Sequence, residues 1–174
     1  DSVSATLRSA NVLPGTLTGA GIGLPGEVDI ALGTFRSSPI LPAWHDVPIA
    51  QILQERLGIP FQVENDANAA LIGEHTALDR HEDGVNALIT LGTGIGGAIS
   101  VNGKIHHGLD HSAGEFGHIS VSDDGPPCGC GNIGCLGKLA SATALVDYYR
   151  DLAKPSNLDP VNGEIVSKQY FAGD

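Results

Sequence analysis

All three cysteines of this chain fall within eight residues, as Cys128-Gly129-Cys130 followed by Cys135. His118 stands ten residues before the first of them. Three thiolates and one imidazole make a complete tetrahedral zinc shell. Gly129, Gly131 and Gly134 suit a short loop that must bend around one ion. The alternative is three buried or free thiols beside an ordinary loop histidine. A C-x-C spacing is less diagnostic than paired C-x-x-C, but gathering every cysteine into one stretch favours a metal. Four protein ligands would leave no open position, so such an ion would shape its surroundings and not activate water.

An odd cysteine count with this spacing suits metal better than disulfides, which fits a reducing cytoplasm. The N-terminus, DSVSATLRSA, has no signal-peptide pattern. No apolar run reaches the roughly 18 residues of a membrane span, so no membrane partner is expected. A net charge of −11 argues against nucleic-acid binding by this segment. The 174 residues, 41% of them hydrophobic, suffice for one domain with a sizeable core.

The apolar pattern alternates between strands and helices. Residues 1–18 are polar and turn-rich. Ala20–Leu24 reads as a buried strand stopped by Pro25-Gly26, and residues 27–40 as a hairpin. Trp44, the single tryptophan, suits packing better than stacking on a ligand. Ile49, Ile52, Leu53 and Leu57 recur at helical spacing up to Gly58, and a strand follows over 59–63. This alternation predicts an α/β layer.

Glu64-Asn65-Asp66-Ala67-Asn68 then sits between a strand end and a helix. Chemistry in α/β folds lies at such strand ends. By residue type alone, Asn65 or Asp66 reads as a helix cap. Residues 78–84 are a charged loop near a boundary between two lobes. Gly92-Thr93-Gly94-Ile95-Gly96-Gly97 also fits G-x-G-x-x-G, but the dinucleotide fingerprint needs a helix next. Here AISV alternates like a strand and runs into Asn102-Gly103, a hairpin turn. The glycine run therefore reads as a hairpin whose backbone N–H groups could approach phosphate. His106, His107 and His111 lie in a polar, glycine-flanked loop and are expected to be solvated. Ser141 caps a predicted helix over 141–152 with Leu145, Tyr148, Tyr149 and Leu152 on its buried face. A loop follows from Lys154, and the last residues open another helix.

GEFGH at 114–118 with CGCGNIGCL at 128–136 resembles the signature of the ROK family (repressors, open reading frames, sugar kinases). VENDANAALIGE at 63–74, LGTGIGGAISVNGKIHHG at 91–108 and GIGLPGEVD at 21–29 resemble the same family, in order across residues 20 to 150. The resemblance implies a partial actin-like ATPase (ribonuclease H-like) fold with a zinc-binding loop. Residues 1–84 would be part of an N-terminal α/β lobe, and 85–174 part of a C-terminal lobe. It implies a structural zinc on His118, Cys128, Cys130 and Cys135. Asp66 becomes the general base of a sugar kinase, with Asn65, Glu115 and His118 holding a hexose or N-acetylhexosamine. Gly92, Thr93, Gly94, Gly96 and Gly97 would face the phosphates of ATP, with Mg2+ bridging them. A homodimer is implied through helices beyond the zinc loop.

The chain lacks the family's DxGGT-like phosphate turn and its later Gly-rich adenosine region. It is therefore expected to be a fragment, inactive by itself. It also reads Cys135-Leu136-Gly137 where the family usually has a sugar-contacting glutamate after the leucine. That departure keeps a second expectation alongside the kinase, a sugar-responsive transcriptional repressor whose DNA-binding domain lies elsewhere.

Overall fold

A computed structural model describes residues 2–78, 84–153 and 161–172. The chain packs as two compact units, one of residues 1–82 with 107–112, the other of 83–106 with 113–174. The segment 107–112 therefore returns to the first unit after the second has begun.

The first unit opens with helix α1 (Ser2–Ser9) and a single 3-10 turn at Pro14–Thr16, where the polar sequence indicated only turns. Strand β1 (Ala20–Leu24) leads through Pro25-Gly26 into β2 (Glu27–Asp29) and β3 (Thr34–Ser37), which pair antiparallel. Helix α2 (Ile49–Leu57) crosses to β4 (Phe61–Asn65), which pairs parallel to β1 with Leu24 opposite Asn65. A parallel pair needs such a crossover, and the apolar face of α2 covers it. Leu24, Val28, Phe35, Ile49 and Val63 form the core. Phe35 is fully buried, and Trp44 meets it edge-on at 5.9 Å, so the tryptophan packs as expected. Helix α3 (Asp66–Ala77) starts directly from β4.

The second unit is built on an antiparallel meander of β5 (Val85–Leu91), β6 (Ile95–Val101) and β7 (Lys104–Ile105). Asn102 and Gly103 both have positive φ, 50° and 74°, as the two-residue turn between β6 and β7 requires. The strand after the glycine run is thus present, and the chain is α/β without a dinucleotide fingerprint. A short helix α4 (Leu136–Ala140), unexpected from the sequence, leads into α5 (Ala142–Ala153) and then α6 (Gly163–Ala172). Ser141 caps α5 by accepting the Ala144 N–H at 3.2 Å. The predicted buried face of α5 is not buried: Leu145 and Tyr148 are about half exposed and Leu152 is 85% exposed. Only Ala144 of this helix is buried. Helical periodicity reports which side is apolar, not whether something covers it. The expected loop from Lys154 falls mostly outside the described residues, as does most of the charged stretch 78–84.

Candidate functional site

Three groups of polar and glycine residues stand out, one in the first unit and two in the second. The first is the corner where β4 becomes α3. Asn65 ends the strand in an extended conformation, and its Oδ1 accepts the N–H groups of Ala67 (2.9 Å) and Asn68 (3.1 Å). These are orphan donors of the first helical turn. Its Nδ2 donates to the carbonyl of Gly26 at 3.2 Å. Asn65 is therefore the helix cap, the reading its residue type favours. It keeps a second Nδ2 hydrogen for another acceptor.

Asp66 is the first residue of α3 and is exposed. Its Oδ1 accepts the Ala67 N–H at 2.9 Å. A carboxylate at a helix N-terminus sits at the positive end of the helix dipole. Behind it, Glu64 is mostly buried, and both of its oxygens are engaged. Oε1 accepts Asn65 N at 2.8 Å and Asn68 Nδ2 at 3.0 Å, and Oε2 lies 2.9 Å from His107 Nε2. A carboxylate can only accept here, so His107 donates from Nε2.

The histidine loop departs from expectation. His106 is exposed, but His107 and His111 are half-buried in the first unit, and the His111 Nδ1 atom is buried without a hydrogen-bond partner. The Glu64 carboxylate, 43 residues earlier, holds His107 in place. Nothing local in the sequence signals that pairing. Glu64 was visible only as the first letter of a motif.

The second group is the turn between β5 and β6. Gly92, Thr93 and Gly94 form it and are exposed. Gly92 N donates to Gly94 O at 3.0 Å, while Ala142 N donates to Gly92 O at 3.0 Å and Thr143 Oγ1 to Thr93 O at 2.8 Å. A methyl group added at Gly92 or Gly94 would meet nothing within 4 Å. The fold therefore does not demand glycine at either place, and a ligand can approach their backbone. Gly96 and Gly97 lie inside β6, not in the turn. A Cβ at Gly97 would stand 2.2 Å from the Phe116 ring, so packing alone accounts for that glycine.

The third group is the cysteine loop with the turn that precedes it. His118 closes a 3-10 turn, Phe116–His118, pressed onto β6: a Cβ at Gly117 would meet the Ile95 carbonyl at 2.0 Å. The loop is a tight hairpin in which Pro127 bridges Ile133 and Cys128 N donates to Asn132 O at 2.8 Å. Gly134 has φ +62°, and a Cβ there would lie 1.9 Å from the Ser122 carbonyl. A side chain at 134 is excluded on both counts. Ser120 Oγ donates to the Ile133 carbonyl, and Ser120 bridges Cys135, placing that thiol against the turn.

One ligand atom from each of His118, Cys128, Cys130 and Cys135 lies within 4.8 Å of the others. Cys128 Sγ is 3.5 Å from His118 Nδ1, and Cys130 Sγ is 3.6 Å from Cys135 Sγ. The edges of a tetrahedron around zinc, from bond lengths of about 2.0–2.3 Å, are about 3.5–3.8 Å. Two of the separations match those edges, and the donor set is that of a four-coordinate zinc ion. His118 divides its ring: Nδ1 faces the thiols, and Nε2 lies 4.0 Å from Glu115 Oε2. The Cys130 backbone N–H brings the Cys128 thiol down to about 6, whereas burial pushes the Cys135 thiol up to about 12. A divalent cation reverses that second preference, since a coordinating thiol is deprotonated outright. No helix among the described residues is long and apolar enough to cross a membrane.

Comparison with known proteins places these groups in context. The ROK family model matches residues 1–170. A glucokinase of Thermotoga maritima is 45% identical over 132 residues, which cover 75% of this chain and 41% of that protein. A xylose repressor of Caldicellulosiruptor bescii is 32% identical over 154 residues, covering 88% of this chain and 38% of the repressor. The chain thus spans about two fifths of the length of these two relatives. Among solved structures, a ROK family glucokinase from Streptomyces griseus in complex with glucose and AMPPNP superposes with a TM-score of 0.80 at 34% identity. It covers 100% of this chain and 59% of the glucokinase.

Proposed function

The chain belongs to the ROK family, and from that premise we propose that the protein it represents transfers the γ-phosphate of ATP to a hexose or an N-acetylhexosamine. The observation that carries this reading is the exposed Asp66 carboxylate on the first turn of α3. A general base must be reachable by the hydroxyl it deprotonates. The Asp66 Oδ1 atom is occupied by Ala67 N–H, which leaves Oδ2 to accept the sugar proton. As that proton moves, the sugar oxygen bonds to the γ-phosphorus, the bond from phosphorus to the bridging oxygen breaks, and ADP leaves. Mg2+ would neutralise charge on the phosphate oxygens.

Asn65, through its free Nδ2 hydrogen, together with Glu115 and His118 would hold the sugar hydroxyls. Gly92, Thr93 and Gly94 would offer backbone to the phosphates, and Gly96 and Gly97 the strand that carries this turn. His118 Nδ1, Cys128, Cys130 and Cys135 would hold a structural zinc. Such an ion fixes the imidazole in one orientation and tautomer and leaves Nε2 for the sugar. An actin-like ATPase fold, action in the cytoplasm and a homodimer belong to the same reading.

A second reading is a sugar-responsive repressor. It is favoured by Gly137, which has no side chain to meet a hydroxyl, and by the xylose repressor among the relatives. Turnover of ATP by the complete reading frame separates the two. Glucose, mannose, fructose, N-acetylglucosamine and N-acetylmannosamine would be offered singly, with Asp66→Asn as control. Sugar-dependent ADP release that Asp66→Asn abolishes is expected. No turnover with any sugar, from folded and zinc-loaded protein, would transfer the assignment to the repressor.

A further inference from the structure

Glu64 spends a buried carboxylate on the corner that carries Asp66. Its side chain is 17% exposed and that of its partner His107 is 28% exposed. Removing a carboxylate from water is costly unless its oxygens are hydrogen-bonded. Here they are, and the choice of donors is informative. Oε1 takes the backbone N–H of Asn65 and the side-chain amide of Asn68, the residues one before and two after Asp66. Oε2 takes His107, from the segment that returns to this unit after the second has begun.

Asn65 is thereby held at three of its polar atoms. Its N–H goes to Glu64, its Oδ1 to Ala67 and Asn68, and its Nδ2 to Gly26. Asn68 is 4% exposed, and its amide nitrogen is spent on Glu64. Asp66 stands between two residues that Glu64 holds, and its own Oδ1 accepts the Ala67 N–H. A helix cap needs Asn65 Oδ1 alone. The carboxylate beneath the corner and the imidazole beneath the carboxylate exceed what capping requires.

We propose that Glu64 is a positioning residue for Asp66, and that His107 braces it through Oε2, so that the corner between β4 and α3 is one polar unit of three layers. This rests on the reading of Asp66 as the base of sugar phosphorylation. Misplacing a reacting group by about 1 Å costs on the order of 100-fold in rate. The cost falls on turnover because Glu64 itself touches neither substrate.

The test compares Glu64→Ala, Glu64→Gln and His107→Ala with wild type in the complete reading frame. It uses kcat and KM for sugar and ATP, and amide hydrogen exchange over residues 64–70. Glutamine keeps an oxygen for the two N–H donors, and its amide can donate to an unprotonated His107 Nε2. Glu64→Ala should lower kcat by about 10- to 100-fold with KM for ATP unchanged, and should speed exchange at 65–68. Glu64→Gln should recover most of that loss, and His107→Ala should give a smaller version of it. A Glu64→Ala enzyme with wild-type kcat and exchange would overturn the proposal, as would equal losses for alanine and glutamine. If wild type shows no turnover, the base reading fails by itself. Exchange then decides whether Glu64 holds the corner, and unchanged exchange in Glu64→Ala sinks that too.

Discussion

The side chain of Thr143, on the first turn of α5, donates to the carbonyl of Thr93 at 2.8 Å across 50 residues of sequence. With Ala142 N on Gly92 O, it ties the exposed glycine turn to a helix end. The turn has no side-chain packing of its own at Gly92 or Gly94. Beyond the β5–β6 pairing that closes it at Leu91 and Ile95, the turn is held by these two bonds and by the one between Gly92 and Gly94.

Thr143→Val keeps the shape and removes the donor. One hydrogen bond is worth about 0.5–1.5 kcal/mol, or a factor of about 2 to 10 in an equilibrium. KM for ATP should rise by about that factor in the complete protein, with KM for sugar unchanged. Thr143→Ser should restore it. Steady-state kinetics with each substrate varied in turn checks this, and an unchanged KM for ATP would detach the turn from phosphate binding.

Protein purified without chelators should contain about one zinc per chain by elemental analysis. Cys135→Ser should contain almost none, because it removes the one ligand that is buried in the loop. Its unfolding midpoint should fall by about 10 °C or more, since metal binding in such loops is folding free energy. Metal-free wild-type protein with an unaltered midpoint would show that the four residues meet without an ion.

How much of this was legible in the sequence depended on the range of the signal. The cysteine loop and the hairpin at 92–97 could be read because their spacing and turn residues are local. Helix α4 could not, since LGKLA is too short to show a period. The apolar side of α5 was visible and its exposure was not, because cover is a tertiary property. The His107–Glu64 pair was hidden for the same reason. Asn65 illustrates the overlap of signals: capping and substrate binding ask for the same side chain at the same strand end, and the observed capping bonds leave one hydrogen over.

Asp29 gives a prediction in pH. It accepts Leu32 N–H at 3.0 Å and pairs with Arg36 at 2.7 Å, and these hold its carboxyl below the ordinary value. A lowered native value means the contribution to stability is present above about pH 4 and is lost as pH falls through the native value. Arg36 is shifted upward by Asp46 and Asp29, so its contribution persists throughout the workable range. The unfolding midpoint of wild type should therefore exceed that of Asp29→Asn at about pH 6. The two curves should converge as pH falls through the lowered native value of Asp29. Parallel curves over that range would remove Asp29 from the acid response.

Gly137 offers the sharpest test of substrate recognition. Its backbone is not in the left-handed region, and a Cβ there would stand 3.2 Å from the Gly117 carbonyl and 3.7 Å from Ile95 N. A side chain must lift α4 by a few tenths of an ångström from a turn already pressed onto β6. Replacing glycine within a helix returns about 0.5–1 kcal/mol of backbone entropy, which offsets that crowding. Gly137→Glu should therefore fold with stability within about 1 kcal/mol of wild type. If the ROK resemblance holds at this position, the new carboxylate accepts a sugar hydroxyl that now goes unmet. One such charge-assisted bond, at about 1.5–3 kcal/mol, corresponds to about a 10- to 100-fold lower sugar KM or Kd. Gly137→Ala, with the same crowding and no acceptor, should leave sugar affinity unchanged. Calorimetric titration of all three proteins with glucose and N-acetylglucosamine separates the contributions. Equal affinities for alanine and glutamate would mean that α4 does not reach the sugar.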